Sequence, residues 1–392
     1  MGTTSAGFGQ VGVSGRENGY GDAVTSVVDW DAAATLAGRL APAGPVADTA
    51  TLEALVHDLR HAAGTAAEHV AQISGLRPSD GCEPAQVSAV HVVDRPRWAK
   101  ANTQMFQVLA GGFPSPRVSA AARYATATEV GAVLGLLASK VIGQFDPYTQ
   151  LGATEPVPAP TIETPDGQTS PDGPSDVVPG RGRLLLVAPN VLAVERALDV
   201  VPADFRLWVA LHEQTHALQF AAAPWLSAHL RSRIDTLTTT LVPDGRAAAD
   251  LVRRLFAALR DLPDIGLLAL LDDDQRAVFD EVSAVMSLIE GHADVMMDEV
   301  GTSVVPTVAS IRAQFEQRRD DGAGARGPAR LIRLLLGLDL KLAQYREGSS
   351  FVRAVCRTVG TDGFNAVWTC AETLPTPAEI ADPDAWVARV HG

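Results

Sequence analysis

Five residues constrain this chain more than any others: His212-Glu213-Gln214-Thr215-His216, a His-Glu-x-x-His pattern. Two histidines four apart act together only on a helix, where positions i and i+4 lie one turn apart on the same face. Both imidazoles then reach one Zn²⁺, and the glutamate beside the first stands next to the ion's open position. There Glu213 can take a proton from zinc-bound water, whose pKa falls to about 7 on the metal. The flanks read as a buried helix. Asp204 is its expected N-cap, and Phe205, Trp208, Leu211, Thr215 and Leu218 supply packing on other faces. The bland alternative is two histidines and a glutamate on a solvated face. Val209, Ala210, Leu211, Ala217 and Leu218 are too apolar for that.

A catalytic zinc takes a third protein ligand. The richest source is Met286-Ser287-Leu288-Ile289-Glu290-Gly291-His292-Ala293-Asp294-Val295-Met296-Met297-Asp298. It lies in a long expected helix that starts after the capping run Asp272-Asp273-Asp274 before Gln275. Glu290 and His292 are both candidates. Two residues apart on a helix means about 200° of rotation, so they cannot both face one ion. Glu290 is favoured. Asp294 follows it by one turn on the same face and is placed to accept the free ring N–H of His212 or His216, fixing the tautomer. The alternatives are a buried ion-pair role for Glu290 and a hydrogen-bonded core position for His292. The Glu-x-x-x-Asp spacing resembles the third-ligand helix of the gluzincin metallopeptidases.

Composition narrows the function classes. The 392 residues carry 32 Lys+Arg against 46 Asp+Glu, a net charge of -14. Such a surface argues against a generic nucleic-acid or anionic-membrane binder, because both partners are negative. Cys82, Cys356 and Cys370 are sparse and widely spaced, with no C-x-x-C pair, so neither a disulfide framework nor a thiolate metal site is expected. Residues 1–26 read as a flexible Gly-rich tail without the basic and apolar regions of a signal peptide. No run reaches the roughly 18 apolar residues of a membrane span. A cytoplasmic protein is the expectation.

The remaining pattern is mainly α with a small β component. Helices are expected over Val28–Leu40, Thr51–Ile73, Trp98–Leu109 and Ser119–Gln144, and a short strand over Val87–Asp94. Residues 151–182, with seven prolines between Pro156 and Pro179, read as a disordered Pro-rich insertion. Leu184-Leu185-Leu186-Val187 reads as a buried strand with a helix after it to about Leu198. From Asp204 the pattern is helical almost to the end, with breaks that include 301–306 and 360–363. The domain expectation is therefore a tail over 1–26 and one mostly helical domain over 27–392.

Several blocks carry a family resemblance. They are Val93-Asp94-Arg95-Pro96 with Trp98 and Ala101-Asn102, Leu184 to Asn190, and Leu211 to Phe220 with Pro224-Trp225. Leu288-Ile289-Glu290-Gly291-His292-Ala293-Asp294, Lys341 to Phe351, and Gly363-Phe364-Asn365 through Trp368 to Glu379 complete the set. Together they resemble the actinobacterial zincin-like metallopeptidase family, from about Val28 to Val390. Members are labelled zinc-dependent metalloprotease or hydrolase, and one branch is associated with deazaflavin-coenzyme biosynthesis. The resemblance implies a mostly helical zincin-like domain and a peptide or protein substrate.

Two weaker signals complete the reading. Tyr345, or Arg346 beside it, follows an apolar stretch and is the candidate donor to an oxyanion; a tyrosine at a helix end, its hydroxyl in water or on a carbonyl, is the favoured reading. Gly7-Phe8-Gly9-Gln10-Val11-Gly12 satisfies G-x-G-x-x-G, but no strand precedes it, so it reads as tail. The expected activity is zinc-dependent hydrolysis, most naturally of a peptide or amide bond, with Glu213 as general base. The competing reading is a zincin-shaped binding or assembly protein with a structural or vestigial metal, accessory to coenzyme biosynthesis. Glu213 separates them, since a structural site has no use for a base beside the first ligand. The sequence leaves the oligomeric state open.

Overall fold

Arg183–Val187 forms the central strand of a three-stranded sheet, and all five of its residues are buried. Successive side chains on a strand point to opposite faces. Leu184 and Leu186 accordingly join one apolar cluster, and Leu185 and Val187 join another. Covering on both faces explains why the sequence shows an unbroken apolar run rather than alternation. The computed structural model describes residues 26–110, 118–149, 182–241, 272–323 and 338–392; within these, the side chains of 238–241, 316, 318–323 and 338–346 are not described. The Gly-rich motif at 7–12 and nearly all of the Pro-rich segment fall outside the described residues.

The chain enters through α1 (Trp30–Leu40) and α2 (Thr49–Ser74), each capped by an aspartate, Asp29 and Asp48, that accepts from the backbone three residues on. β1 (Ala89–Val93) runs parallel to β3 (Arg183–Val187), and α3 (Arg95–Ala110) and α4 (Ala120–Leu137) follow β1. β2 (Gly143–Asp146) pairs antiparallel with β3 on its other side, giving the order β1-β3-β2. Then come α5 (Ala188–Leu198), α6 (Pro202–Ala222) and α7 (Trp225–Leu241). The rest of the chain is helical: α8 (Asp273–Glu299), α9 (Val308–Ala323), α10 (Leu338–Phe364), α11 (Pro377–Ala381) and α12 (Pro383–His391), with short 3₁₀ turns between α10 and α11. The fold is thus mostly helical with one small sheet. No helix among the described residues is long and apolar enough to cross a membrane.

Two expectations need correction. The helix expected over Ser119–Gln144 ends at Leu137, and Gly143–Asp146 is a strand. Apolar residues resume at Val141 and Ile142 after Ser139 and Lys140, and periodicity alone does not separate a helix end from a short buried strand. Tertiary contacts decide it. The Gln144 carboxamide exchanges hydrogen bonds with Asn102 at 3.0 and 3.1 Å and accepts from Trp98 Nε1 at 2.8 Å, tying β2 to α3. Asp204 is likewise not the N-cap of α6. Pro202 opens that helix, where its fixed φ suits the first turn. The Asp204 carboxylate instead accepts from the backbone and hydroxyl of Thr307, at 2.9 and 2.7 Å.

α6 is held from several sides. Gln214 donates to the Ala63 carbonyl of α2 at 2.9 Å, and the buried Arg206 makes a bidentate pair with Glu195 of α5. α8 begins in a full capping box between Asp272 and Gln275. It crosses α10 at two glycines. A Cβ on Gly348 would collide with the Ser287 carbonyl, and one on Gly291 with the Gly348–Ser349 backbone. Gly348→Ala must therefore push apart two helix backbones rather than one flexible side chain. The expected loss is about 1–3 kcal/mol of stability, read from denaturant melts. An unchanged midpoint would show that the crossing has slack.

Candidate metal centre

Gly291 sits next to Glu290, so the close α8–α10 crossing fixes the height at which Glu290 faces α6. From α6, His212 and His216 present Nε2 atoms 3.1 Å apart. Glu290 Oε2 lies 3.5 Å from His212 Nε2 and 3.7 Å from His216 Nε2. Among the described residues, this trio is the group of metal-binding side chains whose donor atoms converge within 4.8 Å. The fit to zinc is geometric. Bonds of about 2.0–2.1 Å in a tetrahedron put donor atoms roughly 3.3 Å apart, and the three observed separations bracket that value. The donor set, two neutral nitrogens and one carboxylate, is also that of a catalytic rather than a structural zinc site.

The outer ring nitrogens are engaged elsewhere. His216 Nδ1 lies 3.1 Å from Gln219 Oε1, and His212 Nδ1 lies 3.3 Å from the Met297 sulfur. Sequence reasoning missed both partners. The signal was present for each. Gln219 follows His216 by three residues, and Met297 follows Glu290 by seven, two turns along the same face. Asp294, expected in this role, is turned about 40° from Glu290 on the helix. Arg312 of α9 claims it instead, donating to its carboxylate at 2.5 Å and its carbonyl at 3.1 Å.

His292 faces away from the trio, as the 200° rotation requires. It is fully buried, stacked on Phe364 with ring centroids 5.3 Å apart, and its Nδ1 meets Gln219 Nε2 at 2.9 Å. Burial first, and the nearby His216 second, push its pKa down to about 3, so it is neutral at physiological pH. The side chain of Tyr345 lies outside the described residues.

Glu213 is buried, one residue after His212, and is not one of the three converging donors. Its side chain lies against Gly143, the first residue of β2. A Cβ there would come within 2.6 Å of the Glu213 Cγ and Oε1. Phe145, two residues on and on the same strand face, packs on Phe220 of α6 at 5.7 Å between centroids. Among the described residues β2 is an outer strand of the sheet, and the glutamate lies on the face to which a Gly143 side chain would point.

A family model for zincin-like metallopeptidases matches residues 28–387. The chain belongs to the zincin-like metallopeptidase family. Among solved structures it is similar to one titled "putative hydrolase with a novel fold" from Chloroflexus aurantiacus. The two share 28% identity with a TM-score of 0.58, over 93% of this chain and 99% of that one. No curated protein matches the chain. The blocks that carried the resemblance sit where the family model matches. Several are structural: Arg95 bonds Asn190 at 2.7 Å and the Pro42 and Ala43 carbonyls, and Asn190 bonds the Ala138 and Val141 carbonyls, clamping the starts of α3 and α5 to the segments that follow α1 and α4.

Proposed function

We propose that this member of the family is a zinc-dependent hydrolase that cleaves peptide or amide bonds. His212, His216 and Glu290 hold the metal, and Glu213 is the general base. When bound, zinc supplies a Lewis acid that polarises a carbonyl and lowers the pKa of water. The chain's own residues do the rest. Glu213 removes a proton from the attacking water and delivers it to the nitrogen of the departing amine. Gly143, having no side chain, lets that carboxylate lie against the strand.

The observation that carries the reading is the position of Glu213, next to a metal-ligand histidine and against the outer strand β2. A base in that position serves a reaction and adds nothing to a structural metal. An outer strand also favours an extended peptide, which can add to the sheet edge by backbone hydrogen bonds. The test is digestion of a mixed-sequence peptide library by zinc-loaded protein. Cleavage that stops on chelation and returns with zinc supports the proposal. A zinc-loaded protein that cleaves no peptide or amide, while binding peptides, would favour the non-catalytic reading.

A further inference from the structure

Gln219 is fully buried between the two helices that carry the expected ligands. Its amide makes three contacts. Nε2 donates to the Ile289 carbonyl at 3.0 Å and faces His292 Nδ1 at 2.9 Å, while Oε1 faces His216 Nδ1 at 3.1 Å. The orientation of an amide is often ambiguous, because its oxygen and nitrogen look alike. Here one neighbour removes the ambiguity. A backbone carbonyl only accepts, so the group facing Ile289 must be the NH₂. The oxygen is then left for His216. Since an amide oxygen also only accepts, His216 Nδ1 must carry the proton. A neutral imidazole with its proton on Nδ1 has its lone pair on Nε2, the atom that faces His212 and Glu290.

We propose that Gln219 is a positioning residue that sets the tautomer of His216 in advance, so that Nε2 presents a lone pair to the metal. The ultimate determinant is the Ile289 carbonyl of α8. The peptide unit that precedes Glu290 thereby prepares a ligand on the opposite helix. His292 completes the arrangement by accepting the second amide hydrogen, which holds the carboxamide flat between the helices. The assignment rests on the zinc-hydrolase reading of the trio and adds a residue to it.

Zinc affinity of the full chain tests this, read by competition with a chromophoric chelator. Three proteins are compared after circular dichroism confirms wild-type helix content: wild type, Gln219→Met and Gln219→Glu. Met keeps the length and volume but accepts only weakly, so zinc should bind about 10–100-fold less tightly. The carboxylate of Gln219→Glu still accepts from Nδ1–H but offers no hydrogen to the Ile289 carbonyl or His292, so its loss of affinity should be clearly smaller than that of the Met variant. If the Met variant does not fold, Gln219→Asn, whose carbonyl ends one methylene short of His216, replaces it with the same expectation. Wild-type affinity in the Met or Asn variant overturns the assignment. So does an equal loss in the Met and Glu variants, which packing alone would produce. A wild-type protein that binds no zinc overturns the metal reading and this assignment together, whereas zinc held equally by wild type and Gln219→Met overturns this assignment alone.

Discussion

Glu290→Ala is expected to strip the protein of zinc. The substitution removes the only anionic donor of the trio and leaves two imidazoles from one helix. A residue that merely orients a ligand is worth roughly 10–100-fold in metal affinity. Loss of a ligand atom should exceed that, and zinc should not survive desalting. His292→Ala is the informative partner, because it lies two residues away in the same helix. Its ring touches Phe364, Trp368 and Gln219 but faces away from the trio. It should cost about 1–3 kcal/mol of stability through lost packing and an unpaired amide hydrogen, with zinc retained. Metal analysis of the two variants gives opposite answers for the two candidate ligands. Zinc kept in Glu290→Ala but lost in His292→Ala would make this a three-histidine site and overturn the arrangement described here.

Glu213→Gln should do the reverse. The amide has the shape of the carboxylate and fits the space against Gly143, so fold and zinc content should be preserved. Hydrolysis should fall by about 10²–10⁴-fold, the usual worth of a positioned general base. The measurement is turnover of whichever library peptide the wild type cleaves, beside zinc content of the same preparations. Zinc lost together with activity would make Glu213 a structural residue. Full activity with zinc retained would assign the base elsewhere.

Local rules made some of this legible in advance. The i, i+4 histidines required a helix and have one, and Asp272 with Gln275 announced the start of α8 through a capping box. The 200° argument showed that Glu290 and His292 could not both face one ion, while the preference for Glu290 leaned on Asp294, which Arg312 claims. What the sequence hid was set by partners far along the chain. β2 was absorbed into a preceding helix because its four residues depend on β3 and on Trp98 and Asn102 of α3. Asp204 looked like a cap, but Thr307, a hundred residues later, takes its carboxylate. Asp294 stood on nearly the right face and was drawn off by Arg312. The residues found next to the histidines, Gln219 and Met297, are given no role in the sequence reading.

The most direct test of the metal centre is zinc content of purified wild type beside His212→Ala, each loaded with zinc and desalted. The account predicts about one zinc per chain in the wild type and close to none in the variant, at equal helix content. No zinc in the loaded wild type, or one zinc per chain in both proteins, would contradict it.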